Sequence, residues 1–142
     1  DLELSSTVKL YTNILSLQYF LKYHNIPYVF YHALTNDLPE SEVNGKQRRD
    51  LKLLKDQIDR KHFYNFEPSA DAQKMIKMQQ ANRSKASHTY SFDGDYTQSH
   101  FEYVAKHGLG KSSNDAHPNP LGHKRWGTLV TQFIKNNGLF PN

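Results

Sequence analysis

Cysteine is absent from this sequence of 142 residues, and the chain contains only two methionines and one tryptophan. Without a thiol it cannot form a disulfide, present a thiolate nucleophile or bind zinc through sulfur. Long apolar runs are also missing, since no stretch approaches the roughly 18 residues that a membrane-spanning helix needs. The first residues do not show the basic-then-apolar order of a signal peptide. We therefore expect no membrane partner, and the redox compartment stays open.

Apolar residues are few, at 37% of the sequence, and the mean hydropathy is -0.80. Aromatic residues nevertheless make up 13% of the chain, which is too many for a disordered protein. The length suits one domain with one core. We expect a folded, polar domain with long surface loops.

Positive charge is in small excess, with a net charge of +4 and a pI of about 9.2. The basic residues are scattered over predicted helix faces, for example at Arg48, Arg49, Lys52 and Lys55. Such residues are usually solvated, and no stripe or known motif gathers them into a nucleic-acid footprint. Nucleic acid is therefore not an expected partner.

An acid and an imidazole stand two residues apart, at Asp115 and His117, just before a predicted helix. Side chains at this spacing in an extended segment point to the same side, so the two can face one another. A carboxylate in that position fixes the imidazole tautomer and stabilises its protonated form, as a general base requires. Pro118 disfavours helix before it, Asn119 is a good N-cap and Pro120 suits the first helical position. Asp115 and His117 are therefore the candidate catalytic residues.

The string Asp-x-His-Pro-Asn-x-x-Gly-His at 115–123, followed by an amphipathic helix, resembles the last block of the SGNH (GDSL-type) hydrolases. That block carries the Asp and His of the family's Ser-His-Asp triad. The resemblance implies an α/β fold, a three-layer αβα sandwich with a parallel sheet of flavodoxin-like type. Residues 1–142 would form the C-terminal portion of one such domain. It also implies a serine esterase or acyl hydrolase, with His117 as general base and Asp115 orienting it.

The other blocks of that family are not found in this sequence. A Gly-Asp pair at 94–95 is followed by Tyr96 rather than by serine, and Asn114 belongs to the histidine block. The sequence also begins with Asp1, where an initiator Met would be expected. We therefore expect the nucleophilic serine and the oxyanion residues to lie outside this chain, in a missing N-terminal half of the domain or in a partner chain.

Two adjacent apolar stripes predict a first helix over 4–23. One stripe consists of Leu4, Val8, Tyr11 and Leu15, and the other of Leu10, Ile14, Leu17 and Leu21. Their helical spacing predicts a wide buried face. Ser5 or Ser6 is the expected cap at the start of the helix, and Asn25 is expected to end it.

Residues 26–31 form a continuous run of apolar, β-branched and aromatic side chains, which predicts a strand buried on both faces of a parallel sheet. Such a strand needs neighbouring strands for its hydrogen bonds and helices for its faces. Residues 62–66 are a weaker strand candidate. The sheet is therefore expected to be completed by sequence outside this chain.

Residues 32–46 are expected to form a loop at the carboxyl end of the first strand. This end faces the ligand crevice in open parallel sheets. His32, Asn36 and Asp37 lie there, and we take His32 and Asn36 as candidate substrate-binding residues. The alternative is a polar loop that binds no ligand.

A loop-rich insertion is expected over 84–114, with a short helix near 98–106. A loop of this length is often a lid or a binding loop. Its aromatic residues, Tyr90, Phe92, Tyr96, Phe101 and Tyr103, would then stack on a sugar or another flat ligand. Tyr96 is accordingly a third candidate substrate-binding residue. The alternative is that these rings anchor the loop to its own domain.

Three further helices are predicted. The first, over 48–60, is an outer helix that carries Leu51, Leu54 and Ile58 on one side, and the second spans 67–83. The last runs over 120–136 with a buried stripe of Trp126, Leu129, Val130, Phe133 and Ile134. Gly122 allows close approach to its first turn, and the Asn-Gly pair at 137–138 is a good stop. The tail at 139–141 is expected to pack back or to dock on a partner.

Eight histidines raise the question of a metal, but their spacing does not fit one. His117 and His123 are six residues apart, which matches neither a zinc-binding helical turn nor a zinc finger. His88, His100 and His107 are spread along the predicted loop. We therefore expect no metal site and no cofactor, and a structural role for His123.

The sequence leaves three functional interpretations open. The first is an SGNH-like esterase acting on an ester, for example an acetylated carbohydrate. The second is a catalytically inactive SGNH-like structural or glycan-binding module of a larger assembly such as a viral particle. For Asp115 and His117 themselves, the alternative is a turn in which Asp115 caps a local amide and His117 is a surface residue. The third is an active site completed by a partner chain. Both an extracellular and a virion location stay open.

Overall fold

The computed structural model describes residues 2–33, 42–43, 46–47, 49–67 and 99–140. The helices are α1 (Leu2–Tyr23), α2 (Arg49–Asp56), α3 (His100–Lys106) and α4 (Pro120–Asn137), with a 3-10 helix at Arg60–His62. The strands are β1 (Phe30–Tyr31), β2 (Glu42–Val43), β3 (Lys46–Gln47), β4 (Phe63–Tyr64), β5 (Gly110–Ser112) and β6 (Asp115–Pro118). The helix predicted over 67–83 falls outside the described residues apart from its first position.

The strands form three pairs. Strand β1 runs parallel to β4, with Phe30 opposite Phe63 and Tyr31 opposite Tyr64. The other two pairs, β2 with β3 and β5 with β6, are antiparallel. The β2–β3 pair corrects the prediction of an uninterrupted loop over 32–46. Helices and a small parallel sheet together confirm the α/β class in its coarse form.

The first strand is much shorter than the sequence predicted. Only Phe30 and Tyr31 pair with β4, and Tyr31 is exposed, so the prediction of a strand over 26–31 that is buried on both faces is wrong. The parallel register gives the reason, because the residues just before β4 form the 3-10 helix Arg60–His62 and offer no strand that residues 27–29 could pair with. The weaker candidate at 62–66 is present as β4.

Helix α1 buries parts of both predicted stripes. Tyr11 and Leu15 lie in the core and Ile14 packs against it, whereas Val8, Leu10 and Leu17 are exposed. The predicted wide apolar face is therefore wrong, because the buried arc continues over the polar residues Thr7 and Gln18. The predicted cap is also wrong, since Ser5 and Ser6 lie inside the helix.

The main core joins α1, α2 and the parallel strands. Its buried members are Tyr11, Leu15, Leu51, Ile58, Phe63 and Phe66, with Ile14, Phe30 and Leu54 packed against them. Leu51, Leu54 and Ile58 thus lie on one side of the segment, as the sequence predicted, but the helix predicted over 48–60 ends at Asp56. This cluster holds the parallel pair against both helices.

A buried amide connects α1 to the segment that follows α2. Gln18 is 1% exposed, and its Nε2 donates to the carbonyl of Gln57 at 3.0 Å. Its Oε1 accepts from the peptide N–H of Asp59 at 2.7 Å. Both ends of the amide are therefore used, which is the usual condition for burying such a group.

A second cluster of rings surrounds Trp126 of α4, which is 4% exposed. Among the described residues, four rings from β1, β4 and α3 have centroids 5.2–5.8 Å from the indole: Tyr31, Tyr64, His100 and Tyr103. This contact pattern places Tyr103 against its own domain. Tyr90, Phe92 and Tyr96 of the predicted insertion lie outside the described residues.

Helix α3 begins with a capping box. The Ser99 hydroxyl accepts from the peptide N–H of Glu102, and the Glu102 carboxylate accepts from the peptide N–H of Ser99. The peptide N–H groups of His100 and Phe101 donate to the carbonyls of His32 and Ala33. These bonds fix the start of α3 to the chain that leaves β1, and they confirm the short helix predicted near 98–106.

Helix α4 follows the local rules that predicted it. It starts at Pro120 after the Asn119 cap and ends before Gly138, which adopts the left-handed conformation with φ of 58°. Leu139 then packs back and is buried, whereas Phe140 is exposed. The helix therefore has defined ends, and its first turn directly follows β6.

Candidate active site

The two candidate catalytic residues meet on β6. The Nδ1 atom of His117 lies 2.6 Å from Oδ1 of Asp115. The peptide N–H of His117 donates to the same oxygen at 3.0 Å. The extended backbone of β6 puts the two side chains on one side, as their spacing predicted.

These contacts favour the ionised form of the acid. The peptide N–H of His117, and then its ring, donate to the Asp115 carboxylate and lower the pKa of that group, with a further contribution from the charge of Lys111. The carboxylate is therefore ionised at neutral pH and accepts a hydrogen bond from the Nδ1–H group of His117. This arrangement specifies the tautomer with Nδ1–H and leaves Nε2 as the basic nitrogen.

The imidazole is open to incoming groups. The His117 side chain is 78% exposed, and Nδ1 is already engaged by Asp115. The remaining nitrogen, Nε2, can therefore take a proton from a group that approaches from solvent or from another chain. A general base must reach its proton donor within hydrogen-bonding distance, and this imidazole is exposed enough for that approach.

Two structural elements support β6. Strand β5 pairs with it in antiparallel register, with Gly110 opposite Pro118 and Ser112 opposite Asp115. Helix α4 begins immediately after it. The pair of residues is thus held between a short hairpin and the first turn of a long helix.

The first turn of α4 touches the hairpin closely at Gly122. A Cβ built on this glycine would lie 2.9 Å from the carbonyl oxygen of Leu109 and 3.3 Å from Cγ2 of Val104. Only a residue without a side chain fits this contact, as the sequence predicted. Gly122 therefore permits α4 to pack against the junction of α3 and β5.

Of the three predicted substrate-binding residues, His32 alone lies in the described part of the chain. It is buried, and its ring lies 4.9 Å from the ring of Phe63. Asn36 and Tyr96 lie outside the described residues, as does Asp37. The assignment of the three residues to substrate binding stays a prediction.

The ring of His123 is exposed on α4, and its centroid lies 5.3 Å from that of His100. Within the described ranges, no group of three His, Cys, Asp or Glu residues could hold a metal ion. No helix in the same ranges is long and apolar enough to cross a membrane.

Sequence reasoning missed the contact between His100 and Trp126. The two rings stack at 5.2 Å with an interplanar angle of 15°. The start of α3 had a signal, because Ser99 and Glu102 have the spacing of a capping box. The stacking itself had none, since it depends on how α3 docks on α4.

Comparison with models of known protein families, with curated proteins and with solved structures finds no match to this chain.

Proposed function

We propose that this chain carries the acid–base half of a serine ester hydrolase of the SGNH type. The observation that supports this proposal is the 2.6 Å contact between His117 Nδ1 and Asp115 Oδ1 on an exposed strand that leads into α4. An ionised carboxylate behind an imidazole with a free Nε2 is the arrangement that activates a serine hydroxyl.

The proposed chemistry uses one proton transfer in each direction. The serine oxygen bonds to the ester carbonyl carbon while its proton passes to His117 Nε2. The same proton then passes to the departing alcohol oxygen as the ester bond breaks. Water repeats the sequence on the acyl-serine and releases the acid. Asp115 accepts from Nδ1 throughout and stabilises the imidazolium.

The nucleophile and the oxyanion donors are proposed to come from outside these 142 residues, from the same polypeptide or from a partner chain. The sequence contains no Gly-Asp-Ser block. In the described part, the parallel sheet has only β1 and β4, and α1 leaves Leu10 and Leu17 exposed beside its buried face. Both features are compatible with a larger three-layer αβα sandwich. Each oxyanion donor is worth about 3 kcal/mol in other enzymes.

An acetylated carbohydrate is the proposed example of an ester substrate. Its support is the content of aromatic residues in the sequence, because such rings stack on sugars. Of the candidate residues, His32 follows β1 at the carboxyl end of the sheet, where α/β proteins bind their ligands.

A serine-reactive fluorophosphonate probe tests this function on the native polypeptide that contains this chain. Its intact mass, compared with 16.5 kDa for this sequence, and its sequence first establish whether a Gly-Asp-Ser block is present. We expect labelling that His117→Ala abolishes and His123→Ala leaves unchanged. Labelling that survives His117→Ala would contradict the assigned role of His117.

A structural or glycan-binding module of a larger assembly, such as a viral particle, is the second candidate. The observation that favours it is the absence of a Gly-Asp-Ser nucleophile block from the sequence. This candidate predicts tight glycan binding without fluorophosphonate labelling. Activity that appears only when a partner chain is added would instead indicate a two-chain active site.

A further inference from the structure

From the hydrogen bonds around the start of α4, we infer that Asn119 is the positioning residue of the Asp115–His117 pair. The side chain and backbone of this residue connect three elements that the pair depends on: β6, β5 and the first turn of α4. The inference rests on the proposed function for the role of the pair, but its geometry can be tested without any catalysis.

Asn119 uses both ends of its amide. Its Oδ1 accepts from the peptide N–H of Gly122 at 2.8 Å, which is the N-cap bond of α4. Its Nδ2 donates to the carbonyl of Gly110 at 3.1 Å. Its peptide N–H donates to the carbonyl of Leu109 at 2.9 Å. One residue thus bonds to the helix ahead of it and to the strand beside it.

The bond to Gly110 acts at the end of β6 that carries His117. Gly110 lies opposite Pro118 in the β5–β6 pair. The neighbouring pair is Leu109 and Asn119, which the peptide N–H of Asn119 joins by a backbone hydrogen bond, so Gly110 and Pro118 form a pair without ladder hydrogen bonds. The Nδ2 of Asn119 adds a hydrogen bond to the Gly110 carbonyl at this position. It therefore holds β6 against β5 close to His117.

The two roles of Asn119 require different atoms. Helix capping needs only a side-chain oxygen, which serine or threonine also provides. The bond to Gly110 needs an N–H donor on the same short side chain, and asparagine has both groups. Serine at 119 would use its hydroxyl as the cap and would lose the bond to Gly110. Asn119→Ser therefore keeps the cap of α4 and removes the hydrogen bond that holds β6 to β5.

The experiment measures the pKa of the Asp115 carboxyl by carbon-13 NMR titration in the chain as it exists. This pKa is lowered by the two hydrogen bonds from His117, so it reports how often the pair is in contact. In Asn119→Ser and Asn119→Thr we expect the carboxyl to lose most of this depression and to titrate nearer 3.8. Helix content should stay at the wild-type value.

Ser99→Ala is the matched control, because it removes the cap of α3 and leaves Asn119 in place. We expect it to lower stability and to leave the pKa of Asp115 unchanged. A generally loosened fold would instead raise the pKa of Asp115 in all three variants. The wild-type protein provides a further readout, since the bond to Gly110 should slow hydrogen exchange of one Asn119 Nδ2 proton.

The outcomes are distinct. If Asn119→Ser and Asn119→Thr fold and the pKa of Asp115 stays depressed in them, the positioning role of Asn119 is overturned. If these variants do not fold, rapid hydrogen exchange of both Asn119 Nδ2 protons in the wild type overturns it. A failure of the proposed function appears elsewhere, as the absence of fluorophosphonate labelling in the native polypeptide. A shifted Asp115 pKa without labelling would keep Asn119 as the positioning residue of a pair that does not catalyse ester hydrolysis.

Discussion

The imidazole of His100 stacks on the indole of Trp126, with ring centroids 5.2 Å apart and planes inclined by 15°. Within the described part of the chain, His100 Nε2 and Trp126 Nε1 are buried without hydrogen-bond partners. Burial lowers the pKa of His100, and the neighbouring ring of His123 lowers it further. The packing of α3 on α4 therefore depends on a neutral imidazole.

Acidification is expected to destabilise this packing. As the pH falls below 6.5, the unfolded chain takes up a proton at His100 that the folded chain resists. The contribution of a neutral His100 to stability is thus present above pH 6.5 and declines as the pH falls towards the lower pKa of the folded state. Urea unfolding followed by the fluorescence of Trp126, the only tryptophan, measures this dependence.

His100→Phe is the test variant for this pH dependence, because phenylalanine keeps a ring against Trp126 and does not titrate. We expect a weaker dependence of stability on pH below 6.5 than in the wild type. His24→Gln, which changes an exposed histidine just after α1, is the matched control. If the free energy of unfolding depends on pH equally in His100→Phe and in the wild type, the role assigned to His100 is refuted.

Two glycines of α4 should respond oppositely to alanine. At Gly122 the new Cβ would lie 2.9 Å from the backbone oxygen of Leu109, and overpacking of this kind costs about 1–3 kcal/mol. At Gly127 no atom of the described residues lies within 4 Å of the new Cβ, so the helix should gain about 0.5–1 kcal/mol. Free energies of unfolding in urea compare the two variants. A neutral Gly122→Ala would show that α4 does not pack tightly on Leu109.

Gln18→Leu should destabilise the protein although it adds an apolar residue to a buried position. The leucine would leave the carbonyl of Gln57 and the peptide N–H of Asp59 without their partner. An unsatisfied buried group costs about 1–3 kcal/mol. Gln132→Leu, on the exposed side of α4, is the control and should change the free energy of unfolding little. A stabilised Gln18→Leu would mean that water replaces the lost partners.

His117→Ala is expected to raise the pKa of Asp115 only part of the way to its ordinary value. The substitution removes the ring contact at 2.6 Å but keeps the peptide N–H bond at 3.0 Å, which is the larger cause of the depression. Carbon-13 NMR titration of the carboxyl measures the change, with His123→Ala as the control. A full return of the Asp115 pKa to its ordinary value would show that the hydrogen bond from the peptide N–H of residue 117 does not form without the imidazole ring.

Local signals predicted the part of the candidate site that is local. Asn119, Pro120 and Gly138 set the ends of α4 through their own backbone preferences and side chains. The contact between Asp115 and His117 follows from an extended segment in which the two residues are neighbours on one side. No tertiary information was needed for either prediction.

The wrong predictions concern features that depend on contacts between elements distant in the sequence. The sequence shows two equivalent apolar stripes on α1, and only the docking of α2 and β4 selects Tyr11 and Leu15 for burial. Gln18 belongs to the buried arc because its side-chain amide forms hydrogen bonds with the backbone of Gln57 and Asp59. The spacing of apolar residues in the sequence does not predict hydrogen-bond partners of this kind. The run at 26–31 has the composition of a buried strand, but pairing with β4 begins only at Phe30.

The spacing of Asp115 and His117 has a consequence for how the pair assembles. Only one residue separates them, so closing their contact costs little chain entropy, whereas a pair drawn from distant segments pays for a long loop. The contact needs the extended conformation of β6, which β5 and Asn119 hold in place, and it does not need α1 to dock on α2. The acid and the base can therefore meet as soon as the β5–β6 hairpin and the first turn of α4 have formed, before any third group arrives.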